Sequence, residues 1–503
     1  MGKTKYYVTS SIDDAALSPA IESIYRAVLG DAIARHRRMC GFDVVYLIST
    51  NAHGRRAEGE DSGQAAASAK ENADVYRDAF KRLDVQSTHF VLTGSNEHAR
   101  AVQALLRHTM RRSSHTIYKD RYEGRYCDFD RMDVSGAVQP INCPKCGRAA
   151  KVISEERYFF RLSEFRDRLL AVYKYRPEFI RPPIRLKQIE QLVARGLTDI
   201  AISVASTHED IPWPDDPGQA VSDLYSQLVT YMSGIGFGAD EYGSEEFQRN
   251  WPADLHVIGL SALPFHAVYW PAFLMAADVP FPGHIFAHAT LKAESEGSAK
   301  EVLRQAVGYD FASDAVRYYL LRSVHHVEDS RMDPRDIPTH YHADLVRGLE
   351  GLVKRVLILA RQHCQGKIPF PSARPKGNQD IEICVADLRA EVRVLLDVQN
   401  FTSALARIRS LIDLIQSRLN DALALEENQG SPDTHCLADA VHNACEGIGW
   451  LALLLNPILP RMTVAIWKAF GQTAQLENQL IDETPWCCLM PGTQLGNFTG
   501  DSY

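Results

Sequence analysis

The chain has 503 residues, 45% of them apolar and 23% charged, with a formal net charge of −8. That length exceeds one small core and suits about three or four domain-sized units, and the composition excludes a disordered or fibrous class. The negative charge argues against a uniformly basic nucleic-acid binder. The ten cysteines lack the dense spacing of a secreted disulfide scaffold, and no apolar run of about 18 residues offers a membrane span.

The N-terminus reads as a strand and not as a signal-peptide core, which points to a cytoplasmic protein without a membrane partner. β-rich runs at Tyr6 to Thr9, Val44 to Ile48 and His89 to Leu92 alternate with helical patterns at Pro19 to Arg38 and Gly63 to Phe80. That rhythm predicts a parallel sheet wrapped by helices. A cysteine-bearing insert interrupts it, αβ patterning resumes, and from about Pro338 only helical periods remain, at Ala343 to Arg361, Ile381 to Leu396 and Phe401 to Leu425. Gly366 to Asp380 reads as an exposed connection. The fold class is therefore α/β, with a knuckle insert, followed by an all-α helical bundle. The divisions fall at 1–116 and 157–325 for the two halves of the α/β domain, 117–156 for the insert, 326–345 for a short connecting region and 346–503 for the bundle.

Four blocks, in order, carry a resemblance. They are Asp31 to Arg35 followed by Gly41 to Val45, then Arg157 to Phe165, Phe265 to Ala276 and Asp314 to Leu321. The wording resembles the methionyl-tRNA synthetases, class I aminoacyl-tRNA synthetases, over nearly the whole chain. The resemblance implies a Rossmann-type catalytic domain split by a zinc-knuckle insert, then a stem-contact-like region and a helical domain that in the family reads the anticodon.

Such an enzyme must meet the charge on ATP phosphates with imidazoles, helix-terminal amides and lysines. The family's His-Ile-Gly-His signature is matched by Ala20, Ile21, Glu22 and Ser23, which removes both histidines and introduces a carboxylate. At the Lys-Met-Ser-Lys-Ser signature stand Gly297, Ser298, Ala299, Lys300 and Glu301, with one lysine retained. The ribose-contacting Gly-Lys-Asp reads Gly259, Leu260 and Ser261, and the amino-group aspartate has become Asn51, followed by His53. Asp13 and Asp14 occupy the aromatic wall before the first signature, with Ile12 beside them in the cleft, and Leu224 stands at the family's tryptophan, while Tyr231, Phe265, His266 and Trp270 are kept. An aromatic set at helical spacing also suits a plain core. The acidic substitutions favour a cation or an amine over ATP in this cleft, and a relaxed cleft accumulating surface-like residues is the bland alternative.

In the insert, Cys143-Pro144-Lys145-Cys146 followed by Gly147 makes half a zinc knuckle. With Cys127 and Asp130, or Asp128 in its place, the resemblance implies a structural zinc. The anticodon-reading pair is reduced to Gly351 and Arg355, and the family's tryptophan falls near Leu425. These losses together predict a pseudo-synthetase, a binding or scaffold subunit with an acidic cleft that serves a partner enzyme or holds a small ligand such as an amino acid or amine, with tRNA bound non-specifically or not at all. The alternative is a repurposed ligase joining an amino acid to a small-molecule acceptor in a specialised pathway, for example one forming nitrogen–nitrogen bonds.

Overall fold

A computed structural model describes residues 3–11, 20–50, 62–127, 132–134, 142–143, 147–206, 211–240, 243–293, 298–305, 311–325, 327–372, 379–428 and 434–498. The chain opens with β1 (Lys5–Ser11), α1 (Ile21–Met39), β2 (Asp43–Thr50), α2 (Ser62–Arg82), β3 (His89–Leu92) and α3 (Asn96–Arg112). β4 (Ile117–Cys127), β5 (Met132–Asp133), β6 (Lys151–Phe160), α4 (Arg166–Tyr175), β7 (Ile180–Arg181) and α5 (Pro183–Ala194) follow. Next are β8 (Ile200–Ala201), β9 (Ser203–Ala205), β10 (Pro212–Trp213), β11 (Asp216–Val221), α6 (Asp223–Ser233), α7 (Glu245–Asn250) and β12 (Leu255–Gly259). A π-helical turn, Phe265–Tyr269, leads into α8 (Trp270–Ala276), then β13 (His284–His288), β14 (Leu291–Ala293), α9 (Ser298–Gln305), α10 (Ala312–Ser323) and β15 (Ser330–Met332). The remainder is helical. α11 (Asp336–His340) continues through a π-helical stretch, Tyr341–Glu350, into α12 (Gly351–His363), and α13 (Gln379–Asp397), α14 (Phe401–Asn428), α15 (Thr434–Leu455) and α16 (Pro460–Ala469) complete the bundle.

The central sheet has the order β3-β2-β1-β12-β13-β7 and every pairing in it is parallel. The chain runs outward from β1 to β3 on one side and from β12 to β13 on the other, with the earlier β7 closing that edge, so the β1/β12 boundary is a topological switch point, where open α/β sheets hold ligands at the carboxyl ends of their strands. Its strands are apolar on both faces, as a doubly covered parallel sheet requires. Tyr6, Val8, Tyr46 and Ile48 pack on one side with α1, α10 and the helical bundle. Tyr7, Val45, Leu47 and Ile258 pack on the other with α3, α4, α6 and α8. This period-two division makes the C-terminal bundle continuous with the core beneath α1.

The insert is an antiparallel sheet. β4 pairs with β6 from Ile117↔Phe160 to Tyr126↔Lys151, and β5 and β8 extend its two edges. β6 leaves the insert with Phe160 fully buried against Phe165 and Phe273, which anchors the sheet to the second half of the α/β domain. No helix among the described residues is long and apolar enough to cross a membrane.

Candidate functional site

At the switch point the carboxyl ends of β1 and β12 flank the N-terminus of α1. Of the first-signature positions, Ala20 is the exposed N-cap without a side-chain capping bond, Ile21 and Ser23 are buried, and Glu22 is half-buried. The Glu22 carboxylate accepts a hydrogen bond from the Leu291 amide at 3.3 Å, so it faces β14, the strand that precedes the second signature. The amides of the first helical turn have no intrahelical acceptor and carry the positive end of the α1 dipole. One turn deeper lies Arg26, almost fully buried. A Cβ built on Gly259 at the end of β12 would lie 3.6 Å from Arg26 Nη2 and 3.7 Å from His288 Nε2. His288 ends β13 and meets Tyr25 edge-on at 5.1 Å between ring centroids. Arg26 thus brings a cation toward the crevice from a position outside both signatures, and sequence comparison by signature passed over it.

Beside this crevice the structure joins Tyr231 of α6 to His266 of the π-helical turn. Their hydroxyl and Nε2 lie 2.7 Å apart. His266 Nδ1 is 2.9 Å from the Ala262 carbonyl, which can only accept, so Nδ1 carries the proton. In the neutral ring, Nε2 is then the acceptor and the Tyr231 hydroxyl the donor. Tyr7 donates its hydroxyl to the Tyr231 carbonyl at 2.6 Å, which ties α6 to β1. Trp270 is fully buried and meets Trp251 edge-on at 6.1 Å, while Phe265 is partly exposed against Tyr269. Of the four retained aromatic positions, Tyr231 and His266 therefore form one hydrogen-bonded unit, Trp270 lies behind in the core, and Phe265 stands at the surface.

The other expected cleft residues, Ile12, Asp13, Asp14, Asn51 and His53, lie outside the described residues, as does Gly297. Ser298, Ala299 and Lys300 open α9, and Glu301 binds Arg304 through both oxygens at 2.9 and 2.8 Å.

In the insert, Cys127 and Cys143 are buried in one small cluster with Val134 and Ala150. The Gly147 amide returns to the Cys143 carbonyl at 2.9 Å, and Gly147 has φ +73°, a conformation that favours glycine. That is the tight turn a CxxC knuckle requires, and two buried thiols beside it fit a thiolate-bound zinc. Cys146, Asp128 and Asp130 lie outside the described residues, among which no group of three metal-binding side chains occurs. In the bundle, Arg355 donates to Asn420 at 2.6 Å and Leu425 is exposed.

A doubly wound sheet split by a small antiparallel insert, open at its switch point and backed by a helical bundle, is the architecture of a class I synthetase. The family of class I tRNA synthetases (M) matches residues 6–152 and 146–357, and the chain belongs to it. Over 98% of its length the chain is 31% identical to a methionine–tRNA ligase of Mycobacterium tuberculosis, covering 97% of that protein. It is 28% identical to that of Thermotoga maritima over 97% of this chain and 78% of the relative. The structure of Mycobacterium tuberculosis methionyl-tRNA synthetase in complex with methionyl-adenylate matches with a TM-score of 0.90 and 30% identity, covering 99% of both chains. The free-state structure of that enzyme matches with a TM-score of 0.87.

These likenesses overturn two expectations. Proteins similar over nearly the full length, helical bundle included, are named methionine–tRNA ligases, and the fold matches one that holds methionyl-adenylate. The reading as a non-catalytic scaffold or as a ligase for another acceptor is therefore corrected, and so is the reading of tRNA as an improbable partner. The physical reason is that phosphoryl-group chemistry in such sites depends on positioning and fixed dipoles spread over many donors. Replacing named side chains leaves the backbone amides and helix termini of the fold in place.

Proposed function

We propose that this chain activates methionine with ATP and transfers it to tRNA, as a divergent family member in which both ATP signatures are replaced. The observation that carries this reading is the end-to-end match to the adenylate-bound relative, across both the α/β domain and the bundle. The Tyr231–His266 unit beside the switch point gives it a local footing.

In the reaction, a carboxylate oxygen of methionine attacks the α-phosphorus of ATP, pyrophosphate leaves and a carboxyl–phosphate anhydride forms. A hydroxyl of the terminal tRNA ribose then attacks the carbonyl carbon and AMP departs. The amides at the N-terminus of α1 stabilise phosphate charge, and Arg26 adds positive charge behind them. The Tyr231 hydroxyl, committed as donor to His266, leaves its oxygen lone pairs toward the amino-acid side. In the insert Cys127, Cys143 and Cys146, with Asp130 or Asp128, would hold one structural zinc, which when bound stabilises the knuckle. Elemental analysis of the purified protein should find zinc, and Cys143→Ser should lose it.

The decisive assay is methionine-dependent exchange of pyrophosphate into ATP, followed by charging of a methionine tRNA. Sustained exchange and acid-labile methionine on the tRNA are expected. A folded protein that gives neither overturns the proposal.

A further inference from the structure

The amino-acid side of the crevice contains a third polar ring that neither signature includes. His256 is the second residue of β12, fully buried in a strand otherwise made of Leu255, Val257, Ile258 and Gly259. Its Nδ1 lies 2.5 Å from Thr9 Oγ1 on the neighbouring strand β1, in the register that pairs the two residues. Its ring centroid is 4.4 Å from that of Tyr231, tilted by 39°, and 5.8 Å from that of His266 at 68°. Its Nε2 is buried and, among the described residues, has no hydrogen-bond partner.

A histidine in the middle of a doubly covered apolar strand is costly to bury unless its polar atoms are used. Here one nitrogen is held by Thr9 and the other is left within the layer that contains the Tyr231–His266 unit. Burial, and then the neighbouring His266, push the His256 pKa well below its usual value, so the ring packs against Tyr231 as a neutral imidazole.

We propose that His256 is a positioning residue of the amino-acid pocket. It fixes the Tyr231 ring, and through it the geometry of the Tyr231–His266 bond, while its Nε2 supplies a further polar atom to the bound amino acid. The pocket contact rests on the methionine-binding reading above; the hold on Tyr231 and His266 does not.

The test uses the full chain with nitrogen-labelled histidine. Long-range nitrogen–proton spectra should show His266 as the neutral Nδ1–H tautomer. His256→Ala should broaden or shift that signal, and His256→Asn, which retains a polar group toward Thr9, should restore it. In pyrophosphate exchange, His256→Ala should raise the methionine KM about tenfold and leave the ATP KM unchanged, the loss of one hydrogen bond and its packing. Thr9→Val removes the same contact from the opposite strand and should reproduce the split, which guards against a folding defect in the alanine variant. An unchanged His266 signal together with an unchanged methionine KM overturns the proposal, as does an equal rise in both KM values. If the wild-type protein shows no methionine binding by calorimetry, the functional reading fails, and the His266 spectrum still decides whether His256 holds the pair.

Discussion

Glu22 stands in the first turn of α1, at the positive end of the helix dipole, where the proposed activity would bring the phosphates of ATP. Its carboxylate hydrogen-bonds the Leu291 amide at 3.3 Å, an interaction that a glutamine can preserve without the charge. Glu22→Gln is therefore expected to lower the ATP KM by about three- to tenfold, more at low ionic strength, because a like charge within several ångströms of the phosphates is removed. Pyrophosphate exchange at varied ATP checks it, and an unchanged ATP KM would place the carboxylate away from the phosphates. Glu446 offers a second residue-scale case. It is fully buried and accepts from the amides of Cys488 at 2.8 Å and Leu489 at 3.2 Å. Burial outweighs those amides and raises its pKa from 4.5 to about 7. Because the folded state holds this proton more tightly than the unfolded chain, the contribution to stability is complete at pH below the unfolded value and is lost as pH rises through about 7. Glu446→Gln should flatten the thermal stability profile over that interval by at most roughly 3 kcal/mol, read as the Tm difference between variant and wild type across pH.

At the scale of elements, α1 illustrates how a helix can be readable while its packing is not. The spacing of Ile21, Ile24, Val28 and Ile33 predicts the helix that is observed at Ile21–Met39. Nothing in that spacing reveals that Gly30 lets Tyr46 of β2 lie against the helix. A Cβ on Gly30 would sit 2.4 Å from the Tyr46 hydroxyl oxygen, which is held by Ser10 at 2.8 Å and the Ala27 carbonyl at 3.1 Å. Alanine is the better helix former by about 1 kcal/mol, yet Gly30→Ala should destabilise the protein by about 1–3 kcal/mol through overpacking. Denaturant unfolding gives the sign directly. The three strands expected at the start of the chain are readable from a different local signal, since their apolar residues form short continuous runs. The site was only partly so. Tyr231 and His266 were identified, but His256 is concealed within an apolar strand and Arg26 within a helix, and only the sheet order brings them to the crevice.

The whole molecule is fastened at one buried cluster. Asp31 of α1 binds Arg35 and Arg317, each at 2.8 Å, and all three side chains are buried. Arg317 of α10 also donates to the carbonyls of Leu83, Pro457 and Ile458, at 3.1, 2.8 and 3.0 Å. The link before α16 is thereby held to the back of the helix that opens the crevice. Arg317→Met should cost about 3–5 kcal/mol, because it leaves a buried carboxylate without one of its cations and orphans three carbonyls. Calorimetry is expected to show a lower Tm, with the bundle unfolding apart from the α/β domain, and an unchanged single transition would show that the cluster does not couple them.

Taken alone, the sequence determined the fold class, the strand and helix order from Tyr6 to Leu92, the helical tail and the family, because these depend on local periodicity and on blocks of wording spread along the chain. It misdirected the function, because the signature side chains are few, while the charge-stabilising groups of such a site also include backbone amides, helix termini and residues distant in sequence. Tertiary structure alone decided that Glu22 turns to β14, that Arg26 and His288 meet at Gly259, and that Thr9, Tyr231, His256 and His266 adjoin one another. Those contacts join residues as many as 269 positions apart, as Glu22 and Leu291 are, and the parallel register of β1 and β12 sets His256 opposite Thr9; such placements depend on the packing of distant elements and not on local sequence.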